Sequence, residues 1–163
     1  YKPKLKWVNI DSLAPNALMK QLYMSLNYDL VKAEHTYGDS RIDFYMEKNG
    51  EKFLTEVKGC TLADDLHPGI GLFPDAPTER GVKHLHELTK AAKEGCHTAI
   101  AFVIQMNGIH RVLPNETAQT EFKKALVEAA KAGVQVVCYS CHVEADRVKI
   151  TSVTEDTSSY VNM

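Results

Sequence analysis

A chain of 163 residues with 44% hydrophobic side chains has the size and apolar content of one globular domain with its own core. Its formal net charge of −2 argues against a protein that coats itself in nucleic-acid backbone, which calls for a strongly basic balance. With no run of about 18 apolar residues and no basic start leading into an apolar stretch, neither membrane insertion nor secretion is indicated.

Taken in chain order, Ala14 to Ser25 is expected to be a helix, with Asp11 or Ser12 as its cap. Leu18, Leu22 and Leu26 recur every four residues as its core stripe, widened by Met19 and Tyr23. Strands are expected at about 30–36, 41–47 and 52–61. Between the last two, Asn49-Gly50 is the signal of a tight antiparallel hairpin. Residues 62–77, with Gly69, Gly71 and three prolines, read as one long loop and as a lid or substrate guide.

A helix is expected over 78–94, capped by Asp75 or Thr78 and ended by Gly95, with Leu85, Leu88 and Ala92 as its buried stripe. Arg80, Lys83, His84 and Glu87 fall together on another face of it. The near-continuous apolar run 98–104 predicts a strand covered on both faces. A further amphipathic helix is expected over 117–132, with Phe122, Leu126, Ala129 and Ala130 inward and Gly133 at its end. Closing strands follow at 134–143 and 147–153, then a polar tail over 154–163 that is expected to fray.

The four cysteines, Cys60, Cys96, Cys138 and Cys141, have no framework spacing and suit reduced thiols in the cytoplasm. Cys138-Tyr139-Ser140-Cys141-His142 matches a haem-attachment motif in form only. In a strand, positions three apart face opposite sides, so no haem is expected there. No second ligand pair completes a zinc set.

The chemistry concentrates in two of the strands. Asp43 stands in the first, and Glu56-Val57-Lys58 in the second, with twelve residues between Asp43 and Glu56. Alternation puts Glu56 and Lys58 on one face and Val57 and Thr55 on the other. By the same rule Asp43 shares a face with Arg41 and Tyr45, while Ile42, Phe44 and Met46 form the apolar opposite face. An antiparallel hairpin would set Asp43 across from Glu56, and paired hard oxygen ligands suit Mg²⁺ or Mn²⁺. The same residues also fit an exposed cross-strand ion pair worth under about 1 kcal/mol, so spacing alone leaves both readings open.

Ser40-Arg41-Ile42-Asp43-Phe44, Glu56-Val57-Lys58 with Thr61-Leu62, Phe73-Pro74-Asp75-Ala76 and the run from Thr78 to Leu85 resemble the sugar fermentation stimulation protein family. The resemblance runs from about Trp7 to the strands near Val153. That family looks like a branch of the PD-(D/E)xK nuclease superfamily. The resemblance implies an α/β, restriction-endonuclease-like core with a mixed central sheet flanked by helices. It implies Mg²⁺ or Mn²⁺ held by Asp43, Glu56 and the Val57 carbonyl, with Lys58 assisting hydrolysis. Arg41, Arg80, Lys83 and His84 would contact nucleic acid, and Glu34 aligns with an acidic position, open between a further carboxylate near the metal and a solvent-exposed side chain. DNA bound without sequence preference is the implied partner. The implied domain plan is residues 1–10 as the end of an N-terminal OB-like barrel, 11–153 as the nuclease-like domain and 154–163 as tail. Three functions stay open: metal-dependent hydrolysis of DNA, a DNA-binding regulator of sugar metabolism genes without useful catalysis, and a scaffold acting on a nonpolymeric phosphate.

Overall fold

The computed structural model describes residues 3–163; Tyr1 and Lys2, part of the expected barrel remnant, lie outside the described residues. A six-stranded mixed sheet forms the centre, built from β1 (Leu30–Tyr37), β2 (Ser40–Lys48), β3 (Glu51–Cys60), β6 (His97–Ile104), β8 (Gln135–Val143) and β9 (Val148–Glu155), side by side in that order. β3, β6 and β8 run parallel, whereas β1, β2 and β3 form an antiparallel meander and β9 returns antiparallel along β8. The hairpin between β2 and β3 closes through Asn49 and Gly50, both at positive φ (53° and 79°), as the Asn-Gly pair requires for a two-residue turn.

Helix α2 (Glu79–Lys93) and helix α3 (Thr120–Lys131) pack on one face of the sheet, and helix α1 (Ala14–Ser25) on the other. The apolar content of β6 explains the two layers: Ile100, Phe102 and Ile104 enter the core under α2 and α3, and Ala101 and Val103 the core under α1. α2 begins where Thr78 Oγ1 accepts from the Gly81 N–H at 2.9 Å, one of its two expected caps.

α1 has the expected bounds but not the expected stripe. Pro15, Met19 and Tyr23 are its buried residues, Leu18 and Leu22 are half-buried, and Leu26 is 47% exposed. The sheet meets the helix on the i, i+4 row that carries a proline, a methionine and a tyrosine, so the leucine row sits at the margin. Asp11 Oδ1 accepts from the Leu13 N–H at 2.9 Å, one turn before the helix, and does not cap it directly.

The expected long loop is partly a second, three-stranded sheet, made of β4 (Leu62–Ala63), β5 (Ile70–Phe73) and β7 (Arg111–Pro114). β5 pairs in parallel with β7, some forty residues further along the chain, which no local pattern announces. The tail also differs from expectation. β9 runs on to Glu155, and a short helix α4 (Ser158–Val161) buries Tyr160 to 1% exposure. Tyr160 donates to the Val112 carbonyl at 2.6 Å, and Thr157 Oγ1 accepts from the Val136 N–H at 3.0 Å, so the segment is docked.

No helix among the described residues is long and apolar enough to cross a membrane. All four cysteines are free, and Cys138 and Cys141 lie in opposite cores, as their spacing in a strand requires.

Candidate metal and phosphate site

Strand β3 behaves as its alternation predicts. Glu56 and Lys58 point toward α2, and Val57 points into the core under α1. β2 does not. Ile42 and Tyr45 share the core under α2 and α3, while Phe44 and Met46 lie under α1, so the alternation slips by one residue at Asp43. Ala33 pairs with Phe44 and His35 with Ile42, leaving Glu34 and Asp43 opposite each other and outside the ladder. Glu34 takes a left-handed backbone, φ 58°, at this break in the pairing, and the register is the same on either side of it. The expected shared face of Arg41, Asp43 and Tyr45 is therefore replaced by one on which Ile42 and Tyr45 stand together.

This break in the ladder is what makes the site. β2 and β3 pair from Phe44–Thr55 to Lys48–Glu51, and at Asp43 the two strands are joined through side chains instead. Asp43 Oδ2 accepts from the Val57 N–H at 2.8 Å, and Glu56 Oε2 accepts from the Asp43 N–H at 3.3 Å. Two carboxylates thus meet across the gap. Glu56 Oε1 lies 3.3 Å from Lys58 Nζ and 2.9 Å from His84 Nδ1, and those two nitrogens are 3.3 Å apart. His84 Nδ1 donates to Glu56 when it carries the proton and accepts from the Lys58 ammonium when it does not; either arrangement fixes the lysine.

Glu56 is 3% exposed and His84 4%, so their contact is shielded from bulk water. Burial pushes the Glu56 carboxyl up, but the hydrogen bond from His84 and the Lys58 ammonium outweigh it and hold the group below its ordinary value. Asp43 goes the other way: burial and the neighbouring Glu56 charge push it up to about 6. The cation and the imidazole both stand on the Glu56 side, so positive charge is scarce where the two carboxylates face each other.

The remaining sequence candidates separate. His84 joins the site as a buried partner of Glu56 and not as an exposed contact. Lys83 donates to the Asp39 carbonyl at 3.2 Å, in the turn between β1 and β2, and Arg80 is exposed one helical turn before His84. Arg41 is exposed on β2, opposite Thr36. Glu34 is exposed opposite Asp43. Among the described residues no group of three His, Cys, Asp or Glu side chains forms a ready metal cage. Asn16, which the sequence reading passed over, is in the site: its Nδ2 donates to Asp43 Oδ1 at 3.0 Å. An Asn in the first turn of a helix reads as a capping residue, which hides any other role.

A mixed sheet with helices on both faces, and Asp and Glu-x-Lys converging where an antiparallel hairpin opens, defines a restriction-endonuclease-like α/β domain. The family model described as "Sugar fermentation stimulation protein RE domain" matches residues 10–147. The chain belongs to the sugar fermentation stimulation protein family. Homologues so named from Ruminiclostridium cellulolyticum and Desulfitobacterium hafniense are each 42% identical, over 91% and 87% of this chain. The chain spans 66% and 62% of the length of those two relatives. The fold is shared with a solved structure of Pyrococcus furiosus SfsA in complex with Ca²⁺, at a TM-score of 0.69 and 24% identity, over 87% of this chain and 59% of that one.

Proposed function

We propose that this domain hydrolyses phosphodiester bonds in DNA with Mg²⁺ or Mn²⁺, and binds DNA without sequence preference. The observation that carries the reading is the meeting of Asp43 and Glu56 at the opened hairpin with Lys58 held beside them. Two carboxylates rather than a full cage suit Mg²⁺, which keeps several of its waters and takes one or two protein carboxylates. The Asp43–Glu56 pair, with two carboxylates beside one lysine, fits such an ion by its charge as well as its oxygen donors, and the Val57 carbonyl is a further oxygen candidate. A bound divalent ion would polarise a phosphate oxygen and acidify a coordinated water.

The protein's own groups then have distinct tasks. Glu56, fixed by His84, presents its second oxygen toward Asp43. Lys58, whose side chain is 15% exposed, keeps its ammonium at the mouth of the site, where it meets the charge that develops on phosphate. Arg80, exposed on the same helix as His84, would reach an adjacent phosphate.

The test is nicking of supercoiled plasmid by purified protein, with Mg²⁺ or Mn²⁺ and with chelator. Lys58→Ala should lower the rate by about 10²–10³-fold while the fold survives, the usual range for one preorganised charge. Equal nicking by both proteins would assign the activity elsewhere. A salt-dependent gel shift that survives chelator without any product would favour the regulator of sugar metabolism genes over the enzyme.

Asp43 adds a pH dependence with a definite sign. Its pKa is raised from 3.8 to about 6, so the metal-free folded protein binds more protons than the unfolded chain between those values. Stability therefore falls as the pH rises from about 4 to about 6. Glu56 is held below 4.5, and its contribution is lost only on going below that window. A divalent ion needs Asp43 ionised, so binding should tighten through pH 6 and release a proton below it. Melting curves with and without Mn²⁺ from pH 5 to 7.5 check this: the stabilisation by metal should grow across the range, and a constant stabilisation contradicts the assignment.

A further inference from the structure

The segment before α1 is tied into the site through one glutamine. Gln105, 3% exposed at the end of β6, donates from Nε2 to Asn9 Oδ1 at 2.8 Å and to the Asp11 carbonyl at 2.9 Å. The Gln105 backbone carbonyl accepts from the Asn9 N–H at 3.0 Å. Asn9 Oδ1 also accepts from the Asp11 N–H at 3.1 Å, and Asp11 Oδ1 from the Leu13 N–H, so the residues leading into the helix are held bond by bond. Pro15 then packs against β3 where Gly59 leaves room. A Cβ on Gly59 would stand 2.8 Å from the Pro15 ring and 2.4 Å from Gln105 Oε1, closer than real Cβ atoms come. The latch and the close approach together fix the first turn of α1 over the end of β3, and that turn carries Asn16.

Asp43 consequently has both oxygens engaged, Oδ1 by the Asn16 amide at 3.0 Å and Oδ2 by the Val57 N–H at 2.8 Å. A carboxylate held at both ends cannot rotate, and its unused lone pairs have one direction. We infer that Asn16 is a positioning residue for Asp43, presented by the Gln105-latched segment 9–16, and that it sets the orientation in which Asp43 meets a divalent cation. The cation part rests on the function proposed above; the hold on Asp43 does not.

The experiment uses Asn16→Ala, Gln105→Met and, as a control, Ala17→Gly, which weakens the same helix at an exposed position. In metal-free protein the readout is the Val57 amide, whose hydrogen bond depends on how Asp43 is held. Its NMR resonance should move and its exchange should accelerate in Asn16→Ala and Gln105→Met, and stay as in wild type in Ala17→Gly. Calorimetry with Mn²⁺ should show about 10–100-fold weaker binding in the first two variants, the usual effect of releasing a group that orients a metal ligand, and none in the third. An unmoved Val57 amide in Asn16→Ala overturns the proposal, as does an equal movement in Ala17→Gly. A wild-type protein that binds no Mn²⁺ removes the metal reading alone, and the Val57 amide still decides the role of Asn16.

Discussion

Glu56→Gln is expected to abolish saturable Mn²⁺ binding in calorimetry and to cut metal-supported cleavage of DNA by about a thousandfold or more, while the protein stays folded. The size follows from what is removed: the electrostatic work of a metal at a phosphoryl centre amounts to several kcal/mol, and each 1.4 kcal/mol is about a factor of ten. The glutamine keeps an oxygen that accepts from His84 and Lys58, so the buried nitrogens keep a partner. Glu56→Ala is the harsher change, since it leaves Lys58 and His84 beside an empty space and removes one member of a buried charge pair, a class of change that costs about 3–5 kcal/mol. The two variants therefore separate chemistry from folding. The amide also removes the charge that, after burial, does most to raise Asp43, so the Asp43 carboxyl should fall back toward its ordinary range. Unchanged Mn²⁺ affinity in Glu56→Gln would place the metal elsewhere and leave the carboxylate pair as a structural feature.

How far the site could be read from the chain depends on where strands keep their period. β3 is covered by α1 on one side and α2 on the other, so each residue is forced to one face, and the placement of Glu56, Val57 and Lys58 follows from alternation. β2 loses its period at Asp43 because the ladder is interrupted where Asp43 faces the left-handed Glu34, and no residue type there advertises it; a glutamate at positive φ is a rare choice. The partners of the site that come from far away were equally silent. Asn16 reaches Asp43 and His84 reaches Glu56 across 27 and 28 positions, and such contacts are set by how helices land on the sheet. The same holds for β5, whose four residues with a glycine carry too little pattern to be seen and find their partner only in β7. Helix ends were legible because Thr78 and the glycines at 95 and 133 act locally.

The tail was misread for a different reason. Its composition is polar, and one aromatic residue among serines and threonines does not lift the average, yet a single deeply buried ring is enough to dock a segment. Tyr160 packs in the core formed with Phe122, Leu126 and Cys138, with the Arg111 guanidinium 5.2 Å from its ring centroid and its hydroxyl on the Val112 carbonyl. Tyr160→Ala should therefore cost about 3–5 kcal/mol, the range for removing a buried aromatic side chain. Tyr160→Phe, which keeps the ring and loses the bond to Val112, should cost about 1 kcal/mol. Urea denaturation checks both as a lowered midpoint with an unchanged slope. Binding of Mn²⁺ below the melting range should be the same as in wild type for Tyr160→Phe, since α4 contacts α3 and β7 and none of Asp43, Glu56 or Lys58. If Tyr160→Ala unfolds within about 1 kcal/mol of wild type, the tail is not part of the cooperative core, and the polar composition was the better guide.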